Sequence, residues 1–286
     1  CGNGRRAAMI VMSLRDVATA VAGVPSTEVD LSTVVSGRCE IDSRRVQPGD
    51  LFIAIKGDNH DGHDHVDAAL AAGAVAAVVT ADGPGPRILV PDTVAALAAL
   101  ARAILEIRSD VTVIALTGSS GKTSTKDIIG QLLATSAPTV WPEGSFNNEL
   151  GLPLTVLRID EETRYLVLEM GSRGPGHIQE LCTIARPDVA LVLNVGSAHV
   201  GEFGSVENTA RAKAELIEAL EPQGVAVLNA DDPYVCAMAE RTQAPIRWVG
   251  SGTSADVQVI GVVLDDLARP HVTLRIDDAT QELTLA

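Results

Sequence analysis

Lysine is nearly missing from this chain. Of 22 basic residues 18 are arginine, leaving Lys56, Lys122, Lys126 and Lys213, so the place of each carries information. No apolar run approaches the roughly 20 residues of a membrane-spanning helix, which argues against a membrane protein. Cysteine is sparse too. Cys1, Cys39, Cys182 and Cys236 lie far apart with no CxxC spacing, which speaks against a zinc site or a disulfide framework and fits a reducing cytoplasm. Positive charge is in deficit, with 22 Lys and Arg against 37 Asp and Glu and a net charge of −15. Proteins that bind nucleic acid hold its phosphates with clustered Lys and Arg, so general nucleic-acid binding is not expected. Any anionic ligand must be held locally.

What is present suits a globular protein of two domains: 286 residues, 46% hydrophobic and 21% charged, too long for one ordinary core. Cys1 to Met12 contains two arginines and the short apolar run Ala7–Met12, below the ~7–15 residues of a signal-peptide core. Residues 1–12 are therefore expected to be an unstructured leader. Ser13 stands in a capping position before Leu14-Arg15-Asp16-Val17. From there the chain alternates helix-like and strand-like pieces: Leu14–Ala22, Gly37–Ile41, Leu51–Lys56, Val66–Ala72, Ala74–Thr80, Ile88–Val90 and Val94–Ile107. These predict a small α/β domain over residues 13–107.

After the polar break Arg108-Ser109-Asp110, a second domain over 108–286 is expected to begin with the apolar run Val111–Leu116. Four more runs of strand length follow: Leu166–Leu168, Val189–Leu193, Val225–Leu228 and Ile246–Val249. Apolar strands alternating with helices imply a mainly parallel sheet flanked by helices. Thr117, Glu169, Asn194 and Asn229 end four of the five runs and would emerge at the carboxyl edge, where open α/β sheets bind ligands. The last forty residues alternate as Val257–Val263, His271–Ile276 and Glu282–Leu285, which predicts a small antiparallel element. A third domain is expected beyond it.

The segment Val111–Ser124 reads as strand, tight loop and helix start, the order of a phosphate-binding loop. Gly118, Ser119, Ser120 and Gly121 would turn backbone N–H groups onto phosphate oxygens. Lys122 would reach the terminal phosphates and Thr123 a Mg²⁺ ion, with Ser124 in the first helical turn. Leu116 stands where the strict pattern has its first glycine, so this is a variant loop. An ATP phosphate brings a metal, and the metal needs hard oxygen ligands. Glu169 is either such a ligand or an ordinary solvated carboxylate, and His199 either a ligand or a satisfied loop histidine. The phosphate loop favours the ligand reading for both.

Lys213 follows on a helix, where residue pattern alone makes it a surface lysine paired with a helical carboxylate. Asn229, in Asn229-Ala230-Asp231-Asp232-Pro233, either binds the adenosine or belongs to a helix cap. Three candidates are set aside. His60–His65 fails as an EF-hand, with Gly57 at its first position and Ala68 at its twelfth, and reads as a polar ligand-facing loop opening a helix at Val66. Gly250–Ala255 mimics a dinucleotide fingerprint but leads into a strand. Cys182 lies among Ile178, Leu181 and Ile184 at helical spacing, a core position.

Taken together these stretches resemble the Mur ligases, ATP-dependent amino-acid ligases of peptidoglycan synthesis. Thr117–Thr123 is similar to that family's variant loop. Thr123–Asp127, Gly144–Pro153, and Glu169-Met170-Gly171 followed by Gly176-His177-Ile178 resemble the type that adds D-alanyl-D-alanine to UDP-N-acetylmuramoyl-tripeptide. Asp42-Ser43-Arg44, Pro48–Phe52 and Asp61-Gly62-His63 resemble the part that holds the UDP end of the substrate. The resemblance implies that Ser43 and Arg44 lie near the uridine, that Asn147 and Asn148 lie near the activated carboxylate, and that Glu169 and His199 bind Mg²⁺. It also implies that Lys213 matches a lysine carbamylated into a carboxylate-like metal ligand. The catalytic set it implies is Lys122, Asn148, Glu169, His199 and Lys213. The expected partners are ATP, UDP-N-acetylmuramoyl-tripeptide and D-alanyl-D-alanine, for a cytoplasmic monomer. Two alternatives are a nucleotide-binding fragment without catalysis and a ligase of the MurE or folylpolyglutamate-synthase type.

Overall fold

The computed structural model describes residues 9–57, 59–196, 204–277 and 279–284. By contact density the chain forms two compact units. One comprises residues up to 111 with 130–166 and 183–185, the other 112–129, 167–182 and 186–286.

The first unit opens with a correction. Met9, Ile10 and Met12 are buried, Met9 N donates to Gly37 O at 3.0 Å, and strand β1 (Met12–Ser13) pairs antiparallel with β3 (Val34–Val35). Met9–Met12 is thus part of the fold and not an unstructured leader, because its apolar side chains have a core to enter. Residues 1–8 lie outside the described residues. Ser13 caps α1 (Leu14–Ala20) in a reciprocal box with Asp16.

Strands β2 (Val24–Pro25), β4 (Cys39–Glu40), β5 (Leu51–Ile53), β6 (Ala76–Val79) and β7 (Arg87–Leu89) form a sheet of order β2-β7-β6-β5-β4, parallel except for β2. Helix α2 (Val66–Ala71) covers part of it, burying Val66 and Ala69 among Phe52, Ala77 and Val79. Helix α3 (Thr93–Ile107), capped by Asp92, buries Leu97, Leu100, Ala101 and Ile104 on one stripe. It packs against α5 (Gly151–Val156), which brings residues 130–166 into this unit.

The nine-stranded sheet contains β8 (Thr112–Thr117), β9 (Thr139–Val140), β10 (Tyr165–Glu169), β11 (Val189–Val192), β12 (Val225–Asn229), β13 (Ile246–Gly250), β14 (Val257–Leu264), β15 (Pro270–Ile276) and β16 (Ala279–Thr284). Its order is β16-β15-β14-β13-β12-β11-β8-β10-β9. The pairs from β8 through β11, β12 and β13 to β14 are parallel, and β14-β15-β16 is the expected antiparallel element. Val113 to Leu116 and Leu166 to Leu168 are buried throughout, as strands covered on both faces must be. The helices of this unit are α4 (Lys122–Ala134), which begins in it, α6 (His177–Ile184), α7 (Val206–Glu218) and α8 (Pro233–Cys236). Strand order reverses beside β8, with β10 and β9 to one side and β11, β12 and β13 to the other. Crevices in open α/β sheets form at such switch points.

Candidate nucleotide and metal site

The loop leaves the carboxyl end of β8 and turns into α4 between Gly118 and Gly121. Gly121 has φ +78°, a left-handed conformation that glycine enters without steric cost. A Cβ on Gly118 would lie 3.0 Å from Leu193 Cβ, so a larger residue there would need Leu193, just past β11, to give way. Thr117 is buried and donates from Oγ1 to Met170 O at 2.9 Å, tying the loop root to the end of β10. Lys122 Nζ folds back onto Gly118 O at 2.9 Å, and Ser124 is exposed in the first turn of α4.

Asn194, just past β11, organises the outer side of this loop. Its Oδ1 accepts from Ser119 N and Ser120 N, each at 3.0 Å, and its Nδ2 donates to Ser120 O at 3.2 Å. A side-chain oxygen thus meets two successive loop N–H groups of the kind that phosphate oxygens meet. The sequence marked Asn194 only as a polar strand end. Gly196 N adds a bond to Ser119 Oγ at 2.8 Å.

Glu169 closes β10, is 1% exposed, and accepts from Thr123 Oγ1 at 2.9 Å. Lys213 lies on α7, which packs on β8 and β11, and is 6% exposed. Burial, and after it the charge of Lys122, pushes its ammonium down to about 8. That overturns the surface reading that residue pattern alone supplies, because the face of α7 that carries Lys213 packs against β8 and β11. Asn229 Nδ2 donates to Leu193 O at 2.8 Å and its Oδ1 accepts from Asp231 N. Asp232, not Asn229, caps α8 and also takes Val195 N at 2.7 Å. Asn229 therefore braces neighbouring strand ends. His199 lies outside the described residues.

Among the described residues no three His, Cys, Asp or Glu gather as a metal cage. The donor chemistry nevertheless suits Mg²⁺, which takes one or two protein oxygens and completes its shell with water and phosphate. The Thr123 hydroxyl and Glu169 carboxylate supply hard oxygens. The Lys213 amine does not, and fits a metal only as a carbamate.

Ser43, Arg44, Asn147 and Asn148 belong to the first unit. Arg44 is exposed and held by Asp42, with Nε 2.9 Å from Oδ1 and Nη2 2.7 Å from Oδ2. That pairing, chiefly its side-chain hydrogen bonds, brings Asp42 down to about 2. Ser43 opens the short turn that Asp42 caps. Asn148 Oδ1 accepts from Gly151 N, the first amide of α5, at 2.9 Å, with Asn147 beside it. A cavity of about 120 Å³ lies between neighbours of these two pairs, lined among others by Arg38, Glu40, Arg45, Phe146 and Arg158.

The rejected candidates are also located. His63 lies between Asp61 Oδ1, 2.6 Å from Nδ1, and Thr80 N, which donates to Nε2 at 3.0 Å. Gly250–Ala255 leads into β14. Cys182 is buried, its thiol raised to about 12 by that burial.

Residues 116–269 match the Mur ligase middle domain, and residues 38–104 match the catalytic domain of the Mur ligase family. The chain belongs to the Mur ligase family. Similar Mur ligases include the UDP-N-acetylmuramoyl-tripeptide--D-alanyl-D-alanine ligase of Mycobacterium bovis, 43% identical over 97% of this chain and 59% of its own length. Among solved Mur ligases, MurF from Acinetobacter baumannii superposes with a TM-score of 0.89 at 32% identity, covering 97% of this chain and 61% of that one. MurF from Thermotoga maritima in complex with ADP gives 0.78 at 35% identity, over 87% of this chain and 58% of that one. This chain spans about three fifths of the length of these relatives.

Proposed function

We propose that this chain is the UDP-substrate-binding and ATP-binding part of a ligase that joins D-alanyl-D-alanine to UDP-N-acetylmuramoyl-tripeptide at the expense of ATP. What supports the reading is the loop that carries Lys122 and Thr123, the bond from Thr123 to Glu169 and the buried Lys213 on a helix packed against β8 and β11, in a chain 43% identical to a relative of that name.

A carboxylate is a poor electrophile. In the proposed reaction a peptide carboxylate oxygen attacks the γ-phosphorus of ATP, ADP leaves, and an acyl phosphate forms. The amine of D-alanyl-D-alanine then attacks the acyl carbon, phosphate leaves, and the amide is made after loss of an amine proton. Loop amides from Gly118 to Thr123 bind the phosphates, those of Ser119 and Ser120 exchanging the Asn194 oxygen for phosphate oxygens, with Asn229 on the adenosine side. Lys122 stabilises negative charge on the phosphoryl group in transfer. Mg²⁺ ions would supply charge neutralisation at the phosphates, with Thr123, Glu169, His199 and carbamylated Lys213 shared among them as protein ligands. Ser43 and Arg44 face the uridine, and Asn147 and Asn148 the reacting carboxylate, with the arginine-lined cavity serving the anionic length between.

The test is product formation by the full-length protein. ADP and phosphate should appear only when UDP-N-acetylmuramoyl-tripeptide and D-alanyl-D-alanine are both present; turnover indifferent to either would sink the proposal. A second reading, for the 286-residue piece assayed by itself, is binding of ATP and UDP-substrate without turnover. Calorimetry paired with a phosphate-release assay separates the two.

A further inference from the structure

We propose that Glu215 is a positioning residue, which keeps the Lys213 helix in register with the segment that leaves Glu169. The proposal rests on the reading that both residues serve the ATP·Mg²⁺ site.

Glu215 lies two residues beyond Lys213 on α7, about 200° around the helix, so the two side chains leave opposite faces. Lys213 is buried. Glu215 reaches the start of α6, where its Oε1 accepts from Gly176 N at 2.6 Å and its Oε2 from Gln179 N at 3.0 Å. These are the N–H groups of the residue just before α6 and of its first turn, which have no partners within the helix. The preceding Gly174-Pro175-Gly176 offers no side-chain oxygen for the task, so a carboxylate from another helix performs it. Such charge-assisted bonds are among the stronger ones.

The stretch from Glu169 to Gly176 is consequently fastened at both ends. At its start, Met170 N donates to Leu116 O at 2.9 Å and Thr117 Oγ1 donates to Met170 O. At its end, Glu215 holds Gly176. One carboxylate thereby links the segment leaving Glu169 to the helix carrying Lys213, and a shift of α7 along its axis would move Lys213 and break this cap together.

The test uses the 286-residue chain and Glu215→Gln, which keeps size but replaces one acceptor oxygen with an NH₂ group facing an N–H. Amide exchange at Gly176 and Gln179 should accelerate. ATP affinity measured by calorimetry without Mg²⁺ should stay within about twofold of the unchanged chain, while affinity with Mg²⁺ falls about tenfold, the scale seen when support around a metal site is lost. A general loss of stability would not single out the Mg²⁺-dependent part. Glu218→Gln, one turn on and paired with Arg241 at the surface, should change neither quantity. If Glu215→Gln does not fold, Glu215→Asp, shorter by one methylene, should give the same pattern. Unchanged exchange, or an unchanged Mg²⁺ increment despite faster exchange, overturns the proposal. Failure of the unchanged chain to bind ATP at all would overturn the site reading and this inference with it.

Discussion

Thr123 Oγ1 donates to Glu169 Oε2 across 2.9 Å, joining the first turn of the loop helix to the end of a strand 46 residues on. The pair brings two hard oxygens together at the sheet edge. Glu169→Gln keeps the shape and removes the charge, so ATP binding in the absence of Mg²⁺ should hold while the gain from Mg²⁺ drops by roughly 100-fold, as for loss of a direct metal ligand. Calorimetry with and without Mg²⁺ reads both quantities; equal loss in the two conditions would mean that Glu169 acts only as a brace.

Asn148 carries two assignments, one near the reacting carboxylate and one as the acceptor for the first amide of α5. Asn148→Asp preserves the oxygen that takes Gly151 N and should leave the melting temperature nearly unchanged, while Asn148→Ala costs about 1 kcal/mol. Loss of ligase activity in the full-length Asp variant, with stability intact, would then report the chemical role. Full activity would remove Asn148 from the reacting centre.

Asp50 is 1% exposed and accepts from Arg38 N at 2.7 Å and Gln47 N at 2.8 Å. Asp50→Ala leaves both amides without that partner and should destabilise the first unit by about 3 kcal/mol, from two charge-assisted bonds and their desolvated donors. Denaturant unfolding measures it, and a change below about 1 kcal/mol contradicts the account.

Acid should release a clamp at Asp110, which is held down at about 2, first by hydrogen bonds from Arg108 and then by Arg164. Arg108 also binds Asp160 O and Thr163 O. Because the folded pKa lies below the unfolded value, the carboxylate stabilises the fold at neutral pH and loses that contribution as pH falls from about 4 toward 2. Asp110 is half exposed, so the effect is small. Asp110→Asn should lower the melting temperature by about 2 °C at pH 7, with a narrower gap at pH 3; a gap that widens on acidification refutes the linkage.

Most of the strands were legible because their burial is written locally. β8, β10, β11 and β12 are near-continuous apolar runs ending in polar residues, and the loop announces itself through Gly118, Gly121 and Lys122. What escaped depends on partners distant in sequence. Met9–Met12 is too short to show a period and is fixed by Val35 and Gly37. Two-residue β9 carries no pattern at all. Residues 130–166 join the first unit because α5 meets α3, which nothing in either helix specifies alone. Asn194 was visible as a polar strand end, but its service to Ser119 and Ser120 was not, and Glu215 looked like any helical carboxylate. The family resemblance supplied Lys213's importance before its burial did. It agreed with the ligand reading that the phosphate loop had already given His199, which lies outside the described residues.

The position of β8 between β10 and β11 sets the order in which this molecule can be assembled. Ser119 and the Asn194 that shapes its loop are 75 residues apart in the chain, and every neighbour of β8 lies downstream of it. Contacts so distant in sequence form late and slowly. On a ribosome, the loop that meets ATP would therefore remain unshaped long after its own residues had been made, and would gain its form only once the chain had run past Asn194.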